Sequence, residues 1–100
     1  MAKLTNKQAR EAIQATREFT TNNGTVRGRH DLAGTGIMRN PAEVEQLTKA
    51  YATGRLEYVV YSYSTPIAWV IDGTWVRTVE KYSPTTSKHT GLCPTTEVVA

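Results

Sequence analysis

The feature that most restricts how this chain can fold is Asp72-Gly73, set between two runs rich in β-branched and aromatic residues, Ile67-Ala68-Trp69-Val70-Ile71 and Thr74-Trp75-Val76-Arg77-Thr78-Val79. Asp-Gly supplies the positive φ angles of a type I′ turn, and a two-residue loop of that type fixes the register of the strands it joins. Ile71 then faces Thr74, Val70 faces Trp75, Trp69 faces Val76 and Ala68 faces Arg77. Side chains alternate across a strand, so Ile67, Trp69, Ile71 and Val76 share one face and Val70, Trp75 and Arg77 the other. The first set is the natural core face. The second leaves a tryptophan and a valine beside a cation, and either the segment Glu80 to Ala100 covers them or they form a partner-binding patch with an aromatic anchor.

Upstream, Leu56 to Tyr63 has strand composition and ends in Ser64-Thr65-Pro66. Two helices precede it. Thr5-Asn6-Lys7-Gln8 reads as a capping box, followed by Ala9, Ala12, Ile13, Thr16 and Phe19 at helical spacing and a break at Thr20 to Gly24. Asn40, Pro41 and Glu43 form a second start signal, after which Val44, Leu47, Thr48 and Tyr51 make the inward stripe and Gly54 the stop. Between the helices, Thr25 to His30 is an edge strand or extended loop, and Asp31 to Arg39 a loop. The hydroxyl-rich stretch from Tyr82 to His89 suits capping of a short helical turn at Ser87-Lys88-His89, or else offers donors to phosphate. These elements predict an α+β domain: an antiparallel sheet of three or four strands with a central hairpin, covered on one face by two helices. The chain of 100 residues, 39% hydrophobic and 21% charged, suits one domain over residues 1–100 with an end that frays from about residue 95.

Several function classes are disfavoured. Cys93 is the single cysteine, so neither an intramolecular disulfide nor a four-cysteine zinc site is available. The start, Met1-Ala2-Lys3-Leu4-Thr5, lacks an apolar leader and no later run suffices for a membrane span, which points to the cytoplasm and away from membranes. Gly34-Thr35-Gly36 has neither the third glycine of a dinucleotide fingerprint nor the Gly-Lys-Ser/Thr of a P-loop. His30, His89 and Cys93 fit no nucleophile motif, and with Asp31 they match no standard metal spacing. No enzyme activity, cofactor or metal is expected.

Charge gathers in the first third, where Lys3, Lys7, Arg10, Arg17, Arg27 and Arg29 outweigh Glu11 and Glu18. Lys7, Arg10, Gln14 and Arg17 form a helical stripe that suits a phosphate backbone or is simply a solvated face with a Lys7–Glu11 pair. Arg27-Gly28-Arg29 sets two guanidinium forks around a residue that permits close backbone approach, an arrangement suited to nucleic acid but equally ordinary on a strand.

Tyr61-Ser62-Tyr63-Ser64-Thr65-Pro66-Ile67-Ala68-Trp69, Gly73-Thr74-Trp75-Val76 and Lys81-Tyr82-Ser83-Pro84-Thr85-Thr86-Ser87-Lys88-His89 together resemble small uncharacterised proteins of mycobacteriophages and related actinobacterial phages. Phe19 and Asn23 to Gly28 resemble a further element of those proteins. The resemblance implies a non-structural phage product made inside the bacterial host, and it implies no catalytic residues. Two expectations follow. The first is a host-modulating accessory protein that binds a host or phage protein through Trp75, Val70, Arg77 and Tyr82, with a homodimer as one form of such contact. The second is a DNA or RNA binder using Arg10, Arg17, Arg27, Arg29 and Lys88.

Overall fold

Thr5 caps the first helix through the expected reciprocal pair: the Gln8 amide donates to the Thr5 hydroxyl at 3.3 Å and the Thr5 amide to Gln8 Oε1 at 3.0 Å. A computed structural model of the chain describes residues 3–21, 24–32, 34–36, 38–79 and 84–93. In chain order these form β1 (Lys3–Leu4), α1 (Asn6–Gln14), β2 (Phe19–Thr21), β3 (Val26–Arg29), α2 (Pro41–Ala52), β4 (Leu56–Ser62), β5 (Thr65–Ile71), β6 (Thr74–Arg77) and α3 (Pro84–Thr90). The strands lie in one sheet in sequential order, β2 to β6 antiparallel and β1 parallel to β2 across α1. The protein is α+β, with six strands rather than three or four.

Of the extra strands, β1 precedes α1, and β2 arises where the helical pattern hides a stop. α1 ends at Gln14, and Thr16 then adopts a left-handed φ of 50° while the Thr16 and Arg17 amides bond back to the Ile13 and Ala12 carbonyls. That is the glycine-type helix ending, made here by a threonine. Phe19, read as the last residue of the helical stripe, therefore opens β2 and lies opposite Gly28. Arg27-Gly28-Arg29 is likewise an interior strand, paired on both sides, and not an edge.

The helices divide between the two faces, which corrects the expectation of one covered face. Ala9, Ala12 and Ile13 of α1 pack with Phe19, Tyr58 and Val60, and Cys93 joins them from beyond α3. Leu47 of α2 packs on the other face with Val59, Tyr61 and Trp69. Strand alternation explains the division, because Val59 and Val60 necessarily point to opposite sides and both are fully buried. β4 and β5 thus read as continuous apolar runs, as strands covered on both faces must.

α2 has the expected cap, with Asn40 Oδ1 accepting from the Ala42 amide at 3.0 Å, and ends at Gly54 with the Arg55 amide on the Ala50 carbonyl. Its inward residues are Glu43, Leu47 and Ala50, whereas Tyr51 is 53% exposed and Thr48 is exposed. The stripe is rotated because Glu43 is held inside: its carboxylate accepts from the Thr78 hydroxyl at 2.6 Å and the Val79 amide at 3.0 Å.

The β5–β6 hairpin has the predicted register in all four pairs, and Asp72 and Gly73 have φ of 50° and 78°. A second tight turn, Tyr63-Ser64, joins β4 to β5, so Thr65-Pro66 begins a strand instead of ending one. Between the pairs Val60↔Ala68 and Tyr61↔Pro66 the register shifts, leaving Ile67 as the extra residue. This bulge turns Ile67 into the α1 cluster, away from Trp69 and Ile71 with which simple alternation groups it. No helix among the described residues is long and apolar enough to cross a membrane. The expected fraying from residue 95 lies outside the described residues.

Candidate functional site

β6 is the last strand of the sheet, and all four of its residues are half-buried. Trp75 stands on the α1 face, its ring meeting that of Tyr58 edge-on at 6.0 Å between centroids. It packs against the α1 cluster together with Leu92, next to buried Cys93. Val70 lies directly opposite Trp75, as expected, but is 4% exposed and serves the core. Arg77 is half-buried, and its Nη1 donates to the Cys93 carbonyl at 3.4 Å. The structure therefore brings Trp75, Val70 and Arg77 together, with Leu92 and Cys93 lying against them, while Tyr82 is outside the described residues. Just past β6, Val79 is 76% exposed.

The basic residues divide between the two faces of the sheet. Arg10 and Lys88 are exposed on α1 and α3, the two helices of one face. Arg27 lies opposite Tyr61 and Arg29 opposite Val59, both on the α2 face. The Arg27 guanidinium sits 5.5 Å from the Tyr61 ring centroid. Arg29 Nε donates to Asp31 Oδ1 at 2.8 Å, a bond that raises the arginine pKa and lowers that of the aspartate. Arg17 is exposed, and its backbone carbonyl accepts the Tyr58 hydroxyl at 2.6 Å. Lys7 and Glu11 form no ion pair among the described residues.

Gly28 has a structural role inside the sheet. A Cβ there would overlap the Tyr58 hydroxyl and come within 2.5 Å of the Phe19 ring, so the close approach is made by the protein's own core. Burial pushes the Tyr58 phenol far above its ordinary range, which keeps it neutral and donating to Arg17. Nearby, His30 Nε2 lies 2.6 Å from the Thr16 carbonyl, and the His30 amide donates to Glu18 at 3.0 Å.

One polar cluster escaped sequence reading altogether. Ser62 Oγ lies 2.7 Å from His89 Nδ1 and 3.1 Å from Thr86 Oγ1, and all three residues are buried. Thr86 and His89 are one turn apart on α3, but Ser62 is 27 residues from His89, so no local motif announces the group. A serine hydroxyl beside an imidazole is the pairing used by nucleophilic hydrolases. Here Ser62 is 1% exposed beneath α3. Burial lowers the His89 pKa and raises the Cys93 thiol to about 12, with Arg77 opposing the latter shift. Among the described residues no three His, Cys, Asp or Glu side chains cluster as metal ligands do.

The fold and its surfaces define an α+β protein, a six-stranded open sheet with helices on both faces and a half-buried aromatic on its last strand. Residues 3–96 match the family described as "Family of unknown function (DUF8033)", and the chain belongs to that family. No curated protein and no solved structure matches the chain.

Proposed function

We propose that this is a non-enzymatic phage accessory protein that acts in the cytoplasm of an infected bacterium by binding a host or phage protein through the β6 side of its sheet. The observations that carry the reading are half-buried Trp75 on β6 and, two residues past that strand, Val79, which is 76% exposed, at the end of the sheet where no seventh strand is paired among the described residues. A terminal strand with an aromatic anchor, followed by an exposed apolar residue, suits strand addition or a small interface. The phage setting rests on the sequence resemblance.

Nucleic-acid binding by Arg10, Arg17, Arg27, Arg29 and Lys88 is the weaker reading. These residues are spread over both faces, and Arg29 is already engaged by Asp31, so they offer no single track for a phosphate backbone. Capture of partners from host lysate, with and without nuclease, separates the two. A partner that survives nuclease supports protein binding, and one released by nuclease supports the alternative.

A further inference from the structure

Among the described contacts that fasten α3 to the sheet, one involves an ionisable side chain. His89, 6% exposed, meets Ser62 at the end of β4 through Nδ1 at 2.7 Å, and Thr86 shares the same serine hydroxyl at 3.1 Å. In the turn after α3, Leu92 and Cys93 lie against the cluster that holds Trp75. The helix and that turn thus form a flap over the Trp75 face.

We propose that α3 is a proton-released cover: protonation of His89 undocks α3 and the turn behind it, baring the Trp75 face of the sheet. The claim rests on the packing alone and stands whether or not that face binds a partner.

Protonation need not break the hydrogen bonds. Nδ1 can donate to the Ser62 hydroxyl in the neutral ring and in the charged one, while Ser62 donates to Thr86. The difficulty is the charge itself, placed where water is excluded. The Tyr63 ring, from the β4–β5 turn, lies 6.0 Å from the imidazole and supplies no carboxylate. Among the described residues, α3 itself carries Lys88, and Arg77 of β6 donates to the Cys93 carbonyl; both are cationic. No carboxylate of the described residues pairs with His89. The buried ring therefore resists a proton that the undocked ring accepts, and its pKa is lowered from the ordinary 6.5. Docking is at full strength above that value and is lost as pH falls from it toward the lowered one.

Hydrogen exchange of the full chain, corrected for intrinsic rates and followed from about pH 7.5 to about pH 5, tests this. Protection of residues 84–93 should fall by up to about tenfold per pH unit below the ordinary imidazole value, with β4 and β5 unchanged. His89→Asn, which keeps a polar amide for Ser62 and cannot take up a proton, should hold the protection flat. Unchanged protection of α3 in the parent protein, simultaneous loss in the central strands, or pH dependence persisting in His89→Asn would each overturn the proposal. Should His89→Asn fail to dock α3 at neutral pH, an NMR titration of the parent decides. The His89 ring and the α3 amides should then share one midpoint, and a ring that titrates with α3 amides unmoved contradicts the cover.

Discussion

Gly28 on β3 and Tyr58 on β4 share one space: the Tyr58 hydroxyl, donating to the Arg17 carbonyl at 2.6 Å, lies where a side chain at position 28 would begin. Gly28→Ala should therefore destabilise the fold by about 1–3 kcal/mol through overpacking. Tyr58→Phe alone should cost about 1 kcal/mol for the lost hydrogen bond. The double variant should be more stable than the sum of the two losses, because removing the hydroxyl relieves part of the clash while Phe19 still crowds the site. Denaturant unfolding of the three variants measures this. Strict additivity would show that the two residues do not compete for space.

Thr16 occupies a left-handed position that glycine fills without strain. Its carbonyl, which contacts His30, belongs to the backbone and is kept on substitution. Thr16→Gly should raise stability by about 0.5–1 kcal/mol, the strain relieved less the entropy of a freer unfolded chain. A lowered midpoint in thermal unfolding would mean that the threonine side chain contributes more than its bond to the Ala15 carbonyl.

Gly73 presents the opposite case to Gly28. Nothing lies within 4 Å of a Cβ placed there, so only its φ of 78° resists substitution. Gly73→Val should cost about 1 kcal/mol or more by torsion alone. The turn is also braced by Glu57, which accepts the Gly73 amide at 2.6 Å, and by Arg55, which donates to Asp72 at 2.7 Å. An unchanged melting temperature would count against the hairpin geometry.

What the sequence disclosed was local chemistry. The Thr5–Gln8 capping box, the Asn40-Pro41 start and the Asp72-Gly73 turn each act within four residues, and all three are in place. What it concealed depends on distant partners or on a stop without its usual residue. Thr16 ends α1 in a conformation normally marked by glycine, so the helical spacing runs on to Phe19, which in fact begins a strand. Glu43 turns inward only because Thr78 and Val79, some 35 residues on, supply its donors. The Ser62–His89 contact and the division of helices between faces depend on which side of the sheet each helix crosses, and no spacing in the chain encodes that. For the candidate site, register correctly places Trp75 opposite Val70, and of the two alternatives for that face the structure has cover by the later segment, where Leu92 and Cys93 share a cluster with Val70 and Trp75.

The central claim is that the β6 side of the sheet binds a protein, and Trp75→Ala tests it most directly. Because Trp75 is half-buried and rests on Tyr58, its removal should cost about 2 kcal/mol, less than a fully buried tryptophan, and leave the protein folded at moderate temperature. Capture from nuclease-treated host lysate, run beside a thermal melt of the same preparation, should show a specific protein retained by the parent chain and lost by the folded variant. A folded Trp75→Ala protein that keeps every partner of the parent contradicts the account.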